Sequence, residues 1–236
     1  MKISFLLPSR KKPSHLIPCV QSILDTVSKD NEIEILLALD NDDDTRFEVI
    51  KKFKKVDCVK CYIRPRSGFW KLHEYTNYLA NQAAGDMFFI TTDKSLMQTT
   101  HWDKLLEPYE GKFIVTFPTV NWISRSGQVY VRPELLFPIV SHLWFVALNK
   151  ICDQPHLDSS ISHVLGNFPT LGEEAKNLMQ RILFPTNMIV QYDESKEIEP
   201  KVIGQSTFFT EESSGLRMED AKRLFLFLKA NPSYIL

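Results

Sequence analysis

Acidic, basic and hydroxyl side chains follow three apolar segments of this chain at the points where the segments end. The apolar runs 3–7, 33–39 and 87–92 are followed by Ser9-Arg10, by aspartates at 40, 42, 43 and 44, and by Asp93. An open α/β sheet binds its ligand at the carboxyl ends of its strands, where polar groups of this kind collect. The arrangement therefore predicts a nucleotide-type ligand and an enzyme.

The elements that would position these groups alternate between strand and helix. Strands are predicted at 2–7, 33–39, 59–63, 87–92 and 113–117, and helices from Pro13, around Phe47–Phe53 and at 71–84. The second strand is almost continuously apolar, as expected when helices cover both faces of a sheet. Gly85 would cap the third helix. The alternation predicts an α/β fold with a doubly wound, mostly parallel sheet.

After about residue 120 the alternation stops, and the rest of the chain is predicted to be more helical. A strand is predicted at 128–131, helices at 142–150, 157–165, 172–183 and 216–230, and a polar loop at 191–215. The chain has 236 residues and shows no repeat or linker, so we expect one domain, 1–236.

The composition excludes several classes of protein. A net charge of -1 and a pI near 6.6 give no positive field for a polyanion, so we expect no nucleic-acid partner. Four cysteines form no disulfide framework, and reduced thiols are typical of the cytoplasm. The apolar stretch 135–148 is too short to span a bilayer, and no signal peptide is evident. A soluble protein is expected, with peripheral contact with a membrane left open.

Three segments carry a resemblance to a known family. They are Ile3-Ser-Phe-Leu-Leu-Pro-Ser-Arg10, Leu36-Leu-Ala-Leu-Asp-Asn-Asp-Asp43 and Asn81-Gln-Ala-Ala-Gly-Asp-Met-Phe-Phe-Ile-Thr-Thr-Asp93. Their order resembles that of the GT-A glycosyltransferases, closest to the inverting family-two type. The resemblance implies a GT-A-like domain with a nucleotide-binding half, 1–118, and an acceptor and catalytic half, 119–236. It also implies transfer of a sugar from a nucleoside-diphosphate-sugar donor to a hydroxyl acceptor such as a glycan, with inversion.

The resemblance places the nucleoside at the acids after the second strand. A carboxylate accepts hydrogen bonds from a base imide or a ribose hydroxyl with charge assistance, and Asp40 is the first choice, with Asp42 beside it. Ser9 and Arg10 would border the base or the diphosphate, and Lys71 would contact the phosphates. The alternatives are an exposed turn at Ser9 and Arg10 and a solvated Lys71. Asp43 and Asp44 are equally explained as a helix cap and first-turn acids.

Asp93 stands where the family has its metal motif. Mg²⁺ or Mn²⁺ would bind carboxylate oxygens there and neutralise the leaving diphosphate. The family has acids at two or three successive positions, whereas this chain has Thr92-Asp93-Lys94-Ser95, with one acid. Three outcomes stay open: Asp93 anchors the metal with water and phosphate, Lys94 replaces part of the metal's charge, or the site has lost catalysis.

An inverting transfer also needs a carboxylate base near the acceptor hydroxyl. In the family this acid lies at the start of a helix after an apolar segment, and Gln154-Pro-His-Leu-Asp158 fits that layout. Asp158 is therefore the candidate base, with His156 nearby. The alternative is that Asp158 caps a helix beginning at Ser159, and the two roles are compatible.

Two other functions compete with sugar transfer. A catalytically degenerate GT-A-fold module would bind a nucleotide or glycan without transfer, and Lys94 in the metal motif favours it. A nucleotidyltransferase should carry a glycine-rich phosphate loop after the first strand, but residues 8–13 contain no glycine. The aromatic side chains Phe69, Trp70 and Trp102 could stack on a sugar or a base, or pack in the core.

Overall fold

The computed structural model describes residues 1–132, 136–194 and 211–236, and it confirms the α/β fold. The strands in these ranges are β1 Lys2–Ser9, β2 Glu32–Asp40, β3 Val59–Arg64, β4 Met87–Ile90, β5 Ser95–Met97, β6 Val115–Ile123, β7 Val129–Arg132, β8 Ile139–Ser141 and β9 Leu183–Asp193. The α-helices are α1 Pro13–Thr26, α2 Arg46–Phe53, α3 Leu72–Gln82, α4 His142–Leu148, α5 Leu157–Gly166, α6 Glu173–Ile182 and α7 Glu211–Ala230.

One sheet contains all of these strands, in the order β3-β2-β1-β4-β8-β6-β9-β5, with β7 paired to β6. The first four strands of that order are parallel to one another, so their carboxyl ends meet at one edge of the sheet. Beyond β4 the pairing changes, because β8 is antiparallel to both β4 and β6. The proposed boundary between the two halves, at residues 118 and 119, falls inside β6.

Helices cover both faces of the sheet, as the doubly wound pattern predicts. Leu16 and Val20 of α1 and Val49 of α2 pack against the sheet on one face. The other face is covered by α3 to α7, with Leu79 of α3 and Leu224 of α7 among the buried residues. The parallel strands are therefore buried on both sides, and only their ends are available to a ligand.

The second half contains more strand than the sequence predicted. The helix predicted at 172–183 ends at Ile182, and the chain continues as β9 through Asp193, so the loop predicted from 191 begins later. The predicted helix 216–230 begins at Glu211, within the same predicted loop. Residues 195–210 of that loop lie outside the described residues. Pro185 and Asn187 obscure β9 in the sequence, because both residue types are depleted in strands.

Gly85 has a different role from the predicted helix cap. Helix α3 ends at Gln82, and the following Ala83 is already extended. The N–H of Gly85 donates to Ser4 Oγ at 2.9 Å, and a Cβ atom at residue 85 would lie 2.7 Å from the backbone nitrogen of Ser4. A side chain there would collide with β1, so glycine is needed for close approach.

Two further properties concern the cysteines and the helices. All four cysteines are free. Among the helices of the described ranges, none is long and apolar enough to cross a membrane.

Candidate functional site

The predicted polar side chains meet at the edge formed by the carboxyl ends of β1 to β4. Ser9 is the last residue of β1, Asp40 is the last residue of β2, and Asp93 follows the end of β4. Arg64 ends β3 at the same edge. The parallel register of these strands thus brings together residues that are up to 84 positions apart in the chain.

Arg10 pairs with both predicted nucleoside-binding carboxylates. Its Nη1 atom donates to Asp40 Oδ2 at 2.7 Å and also to Asp42, and its Nη2 atom donates to Asp42 Oδ2 at 3.2 Å. Arg66 Nη1 also lies 3.8 Å from Asp42 Oδ2. The Arg10 guanidinium lowers the pKa of Asp42, and the two carboxylates raise the pKa of Arg10. Both carboxylates therefore lie beside the positive charge of Arg10.

Tyr75 is the second side chain that donates a hydrogen bond to Asp40. The Tyr75 hydroxyl donates to Asp40 Oδ1 at 2.5 Å and accepts a bond from the backbone N–H of Ser67 at 2.7 Å. Burial and the bond to Asp40 raise the pKa of Tyr75. In the helix predicted at 71–84, Tyr75 shares an apolar stripe with Leu72 and Leu79, and this pattern does not predict its role in the site. The signal that could have found it is the hydroxyl itself, since a buried tyrosine usually needs a hydrogen-bond partner.

Asp43 serves the loops around the site. It is buried, and its Oδ2 atom accepts the backbone N–H of Lys11 at 2.5 Å. Its Oδ1 atom accepts the N–H and the hydroxyl of Thr45 at 2.9 and 2.7 Å. Thr45, and not Asp43, holds the N-cap position of α2. Asp43 therefore joins the loop after β1 to the loop after β2, whereas the side chain of Asp44 is 98% exposed.

Asp93 lies among basic groups. Ser9 Oγ donates to Asp93 Oδ2 at 2.7 Å. Burial raises the pKa of Asp93, while this bond and the charges of Lys12, Lys94 and His15 act in the opposite direction. Lys94 is only 9% exposed, and its Nζ atom lies 6.0 Å from the centre of the Tyr192 ring. The environment of Asp93 is thus more cationic than the sequence motif alone suggests.

The residues around Asp93 do not form a metal site by themselves. Asp93 supplies one carboxylate, one oxygen of which already accepts the Ser9 hydroxyl. Within the described parts of the chain, no group of three or more His, Cys, Asp or Glu side chains is arranged to hold a metal ion. Mg²⁺ and Mn²⁺ prefer several oxygen ligands, so the protein offers too few of them. A metal role for Asp93 stays a prediction.

Asp158 lies in the first turn of α5. The helix begins at Leu157 with His156 at the N-cap, so the alternative in which Asp158 caps a helix beginning at Ser159 is wrong. Asp158 Oδ1 accepts the backbone N–H of Ser159 at 2.8 Å, and its charge suits the positive end of the helix dipole. The carboxylate therefore has a structural role that is compatible with proton transfer.

Helix α3 contacts both the segment that precedes α5 and the carboxyl edge of the parallel strands. Asn77 of α3 accepts the N–H of Ile151 at 2.7 Å and donates to the carbonyl of Cys152 at 2.8 Å. Just before α3, the rings of Phe69 and Trp70 lie 6.1 and 6.5 Å from the ring of His156, which is two residues before Asp158. The same helix carries Tyr75, so it contacts both the carboxyl end of β2 and the segment 151–152 that precedes α5.

The remaining predicted groups divide between surface and core. Lys71 is exposed, and its ammonium pairs with Glu74 at 3.0 Å. Its contact with phosphate stays a prediction. Trp102 is fully buried and packs edge-on against Phe5, so the core interpretation is correct for this residue. Phe69 and Trp70 are exposed, unlike Trp102.

Comparison with solved structures finds this fold in S. aureus TarS. TarS 1-349 in complex with UDP matches with a TM-score of 0.62 and 10% sequence identity, covering 82% of this chain and 60% of that chain. TarS 1-349 in complex with UDP-GlcNAc also matches with a TM-score of 0.62 and 10% sequence identity, and the match covers 98% of this chain and 74% of that chain. A structure of S. aureus TarS matches with a TM-score of 0.54 and 11% sequence identity, and the match covers 82% of this chain and 35% of that chain. The sequence matches no protein-family model and no curated protein. This chain thus spans about 60% of the TarS fragment in its UDP complex.

Proposed function

Because the chain has a GT-A-like glycosyltransferase fold, we propose that it transfers a sugar from a nucleoside-diphosphate-sugar donor to a hydroxyl acceptor. The observation that carries this proposal is the network of Arg10, Asp40 and Tyr75 at the carboxyl edge of the parallel strands. Fold alone is a weak argument for activity, so the chemistry of this edge has to support it.

In the proposal, Asp40 and Asp42 bind the nucleoside. A carboxylate has about four acceptor positions, and Asp40 uses one on each oxygen, for Arg10 and for Tyr75. The remaining positions suit the imide N–H of a base or the hydroxyls of a ribose. UDP and UDP-GlcNAc are bound in the TarS structures, so a UDP-sugar is the first donor to test.

The donor's diphosphate would lie where positive charge collects. Arg10 and Lys12 come directly before α1, whose N-terminus adds its dipole. Ser9 would border the diphosphate, and Lys71 would reach it from the start of α3. Because the protein groups around Asp93 do not form a metal site, the proposal assigns no step to a metal.

Asp158 is proposed to act as the general base. Its carboxylate would take the proton from the acceptor hydroxyl as the oxygen attacks the anomeric carbon of the donor sugar. The bond from that carbon to the diphosphate oxygen breaks, and the nucleoside diphosphate leaves with the electron pair. Attack on the face opposite the leaving group inverts the anomeric centre.

A second candidate function is a degenerate module that binds a nucleotide or glycan without transfer. It is favoured by the single acid at Asp93 and by the buried Lys94 beside it. We also propose a cytoplasmic location, which the four free cysteines support.

The test is release of UDP from UDP-GlcNAc and UDP-glucose, measured with and without a mixture of oligosaccharide acceptors. We expect release that increases when an acceptor is present. Saturable UDP binding without release under either condition would favour the binding module instead.

A further inference from the structure

Two aromatic rings are exposed beside the site. Phe69 is 57% exposed and Trp70 is 38% exposed, whereas Trp102 and Trp144 are fully buried. The rings of Phe69 and Trp70 meet edge to face, with centroids 5.4 Å apart and planes at 77°. The His156 ring meets both of them at similar angles. These three residues form one aromatic cluster on the surface, which we call the aromatic platform.

The platform is held in place from the nucleoside side. Gly68 has φ +81°, a left-handed conformation that lets the chain turn sharply into the short helix Phe69–Lys71. The residue before it, Ser67, donates its N–H to the Tyr75 hydroxyl, which in turn is bonded to Asp40. The loop that carries the platform is therefore tied, through Ser67 and Tyr75, to the carboxylate that is proposed to bind the donor's nucleoside.

The platform is also close in sequence to the proposed base, Asp158. His156 directly precedes α5, and Asp158 is the second residue of that helix. A ligand on the exposed rings would thus be flanked by the loop that Tyr75 ties to Asp40 and by His156, which directly precedes the helix of Asp158. These two segments carry the contacts of the proposed donor site and the proposed base, which suits an acceptor whose hydroxyl has to reach both.

We propose that the aromatic platform binds one sugar ring of a glycan acceptor, and this inference rests on the proposed function. The C–H face of a sugar ring is apolar and flat enough to pack on an aromatic ring, while its hydroxyls need polar neighbours. Lys71 and Glu74 form an exposed ion pair next to the rings, and His156 adds an imidazole. Apolar rings with a polar rim suit a carbohydrate better than a purely apolar partner.

The test uses the indole of Trp70 as a reporter. Chitotetraose, cellotetraose and maltotetraose are titrated into the protein with UDP present, and tryptophan emission is recorded. We expect a saturable change with at least one of them. Trp70→Phe should lose the signal but keep glycan binding, measured by saturation-transfer NMR, because a phenyl ring still offers a stacking face.

The double variant Phe69→Ala with Trp70→Ala should bind that glycan about tenfold more weakly, with UDP affinity unchanged. Phe47→Ala is the matched control, because Phe47 is 60% exposed on α2. Unchanged glycan affinity in the double variant, or no response of the wild type to the three glycans, would overturn the platform. A loss of UDP affinity in the double variant would also overturn the proposal, because the rings would then bind the uracil of UDP and not the acceptor. Failure of the wild type to bind UDP would instead contradict the proposed function.

Discussion

The hydroxyl of Tyr75 donates to Asp40 at 2.5 Å and thereby joins helix α3 to the carboxyl end of β2. The same hydroxyl accepts the N–H of Ser67, which leads to the exposed rings of Phe69 and Trp70. One buried side chain therefore orients the proposed nucleoside carboxylate and anchors the loop of the aromatic platform. Its removal should affect both.

Tyr75→Phe keeps the ring and removes only the hydroxyl. A hydrogen bond to a charged group contributes about 1.5–3 kcal/mol, so we expect a loss of unfolding free energy in that range and weaker UDP binding. Calorimetric titration with UDP and chemical denaturation measure the two effects. Tyr62→Phe is the control, because the Tyr62 ring packs on Tyr78 outside this network. Unchanged UDP affinity in a folded Tyr75→Phe protein would remove Tyr75 from the site.

Asp43 should stabilise the fold in a pH-dependent way. Burial tends to raise the pKa of Asp43, but the bonds from Lys11 and Thr45 outweigh it, and the net pKa is lowered. The stabilisation is therefore fully present above the ordinary aspartate pKa near 3.9 and is lost as the pH falls through the lower value in the folded protein.

Asp43→Asn tests this dependence by urea denaturation at several pH values. At pH 7 the variant should lose about 1.5–3 kcal/mol, because an amide cannot replace all the accepted bonds. The difference from wild type should shrink as the pH falls below about 3.9. Asp44→Asn, at an exposed position, should match wild type throughout. A difference that grows toward acid pH contradicts the assignment.

The sequence predicted the carboxyl edge of the parallel strands because its signals are local there. Asp40 directly follows a continuous apolar run, Asp93 follows the apolar run Met87–Ile90 after two threonines, and a parallel sheet aligns the ends of such runs. The second half was harder to predict, because β8 has three residues and β9 contains Pro185. Their pairing depends on distant partners, which periodicity does not report. Tyr75 was missed because a hydroxyl does not disturb an apolar stripe.

Asp158→Asn should separate catalysis from stability. Asn can still accept the Ser159 N–H, but it cannot take a proton, so the variant should melt within a few degrees of wild type. It should bind UDP-GlcNAc normally and lose about 10²–10⁴-fold in transfer rate. Glu173→Gln changes a first-turn acid of α6 in the same way and should keep full activity. An Asp158→Asn protein with the wild-type rate would exclude this residue as the base.

Metal dependence should be weak and conditional on the donor. With one acid at Asp93, we expect Mn²⁺ to bind measurably only when a nucleoside diphosphate supplies further oxygens, and Asp93→Asn to abolish that coupling. Calorimetric titration of Mn²⁺ with and without UDP measures this dependence of metal binding on the nucleotide. Equal UDP-GlcNAc affinity in EDTA and in Mn²⁺ would favour Lys94 as the substitute charge.

Thermal unfolding with sugar nucleotides tests the proposed donor site most directly. UDP-, GDP-, CDP- and dTDP-sugars are each added to wild type, Asp40→Asn and Asp44→Asn. At about 100 times its dissociation constant, a donor should stabilise wild type and Asp44→Asn by about 2.7 kcal/mol. At the same concentration, Asp40→Asn should lose most of this stabilisation. Absence of any shift in the wild type, or an equal shift in Asp40→Asn, would contradict a nucleotide-sugar site at this edge.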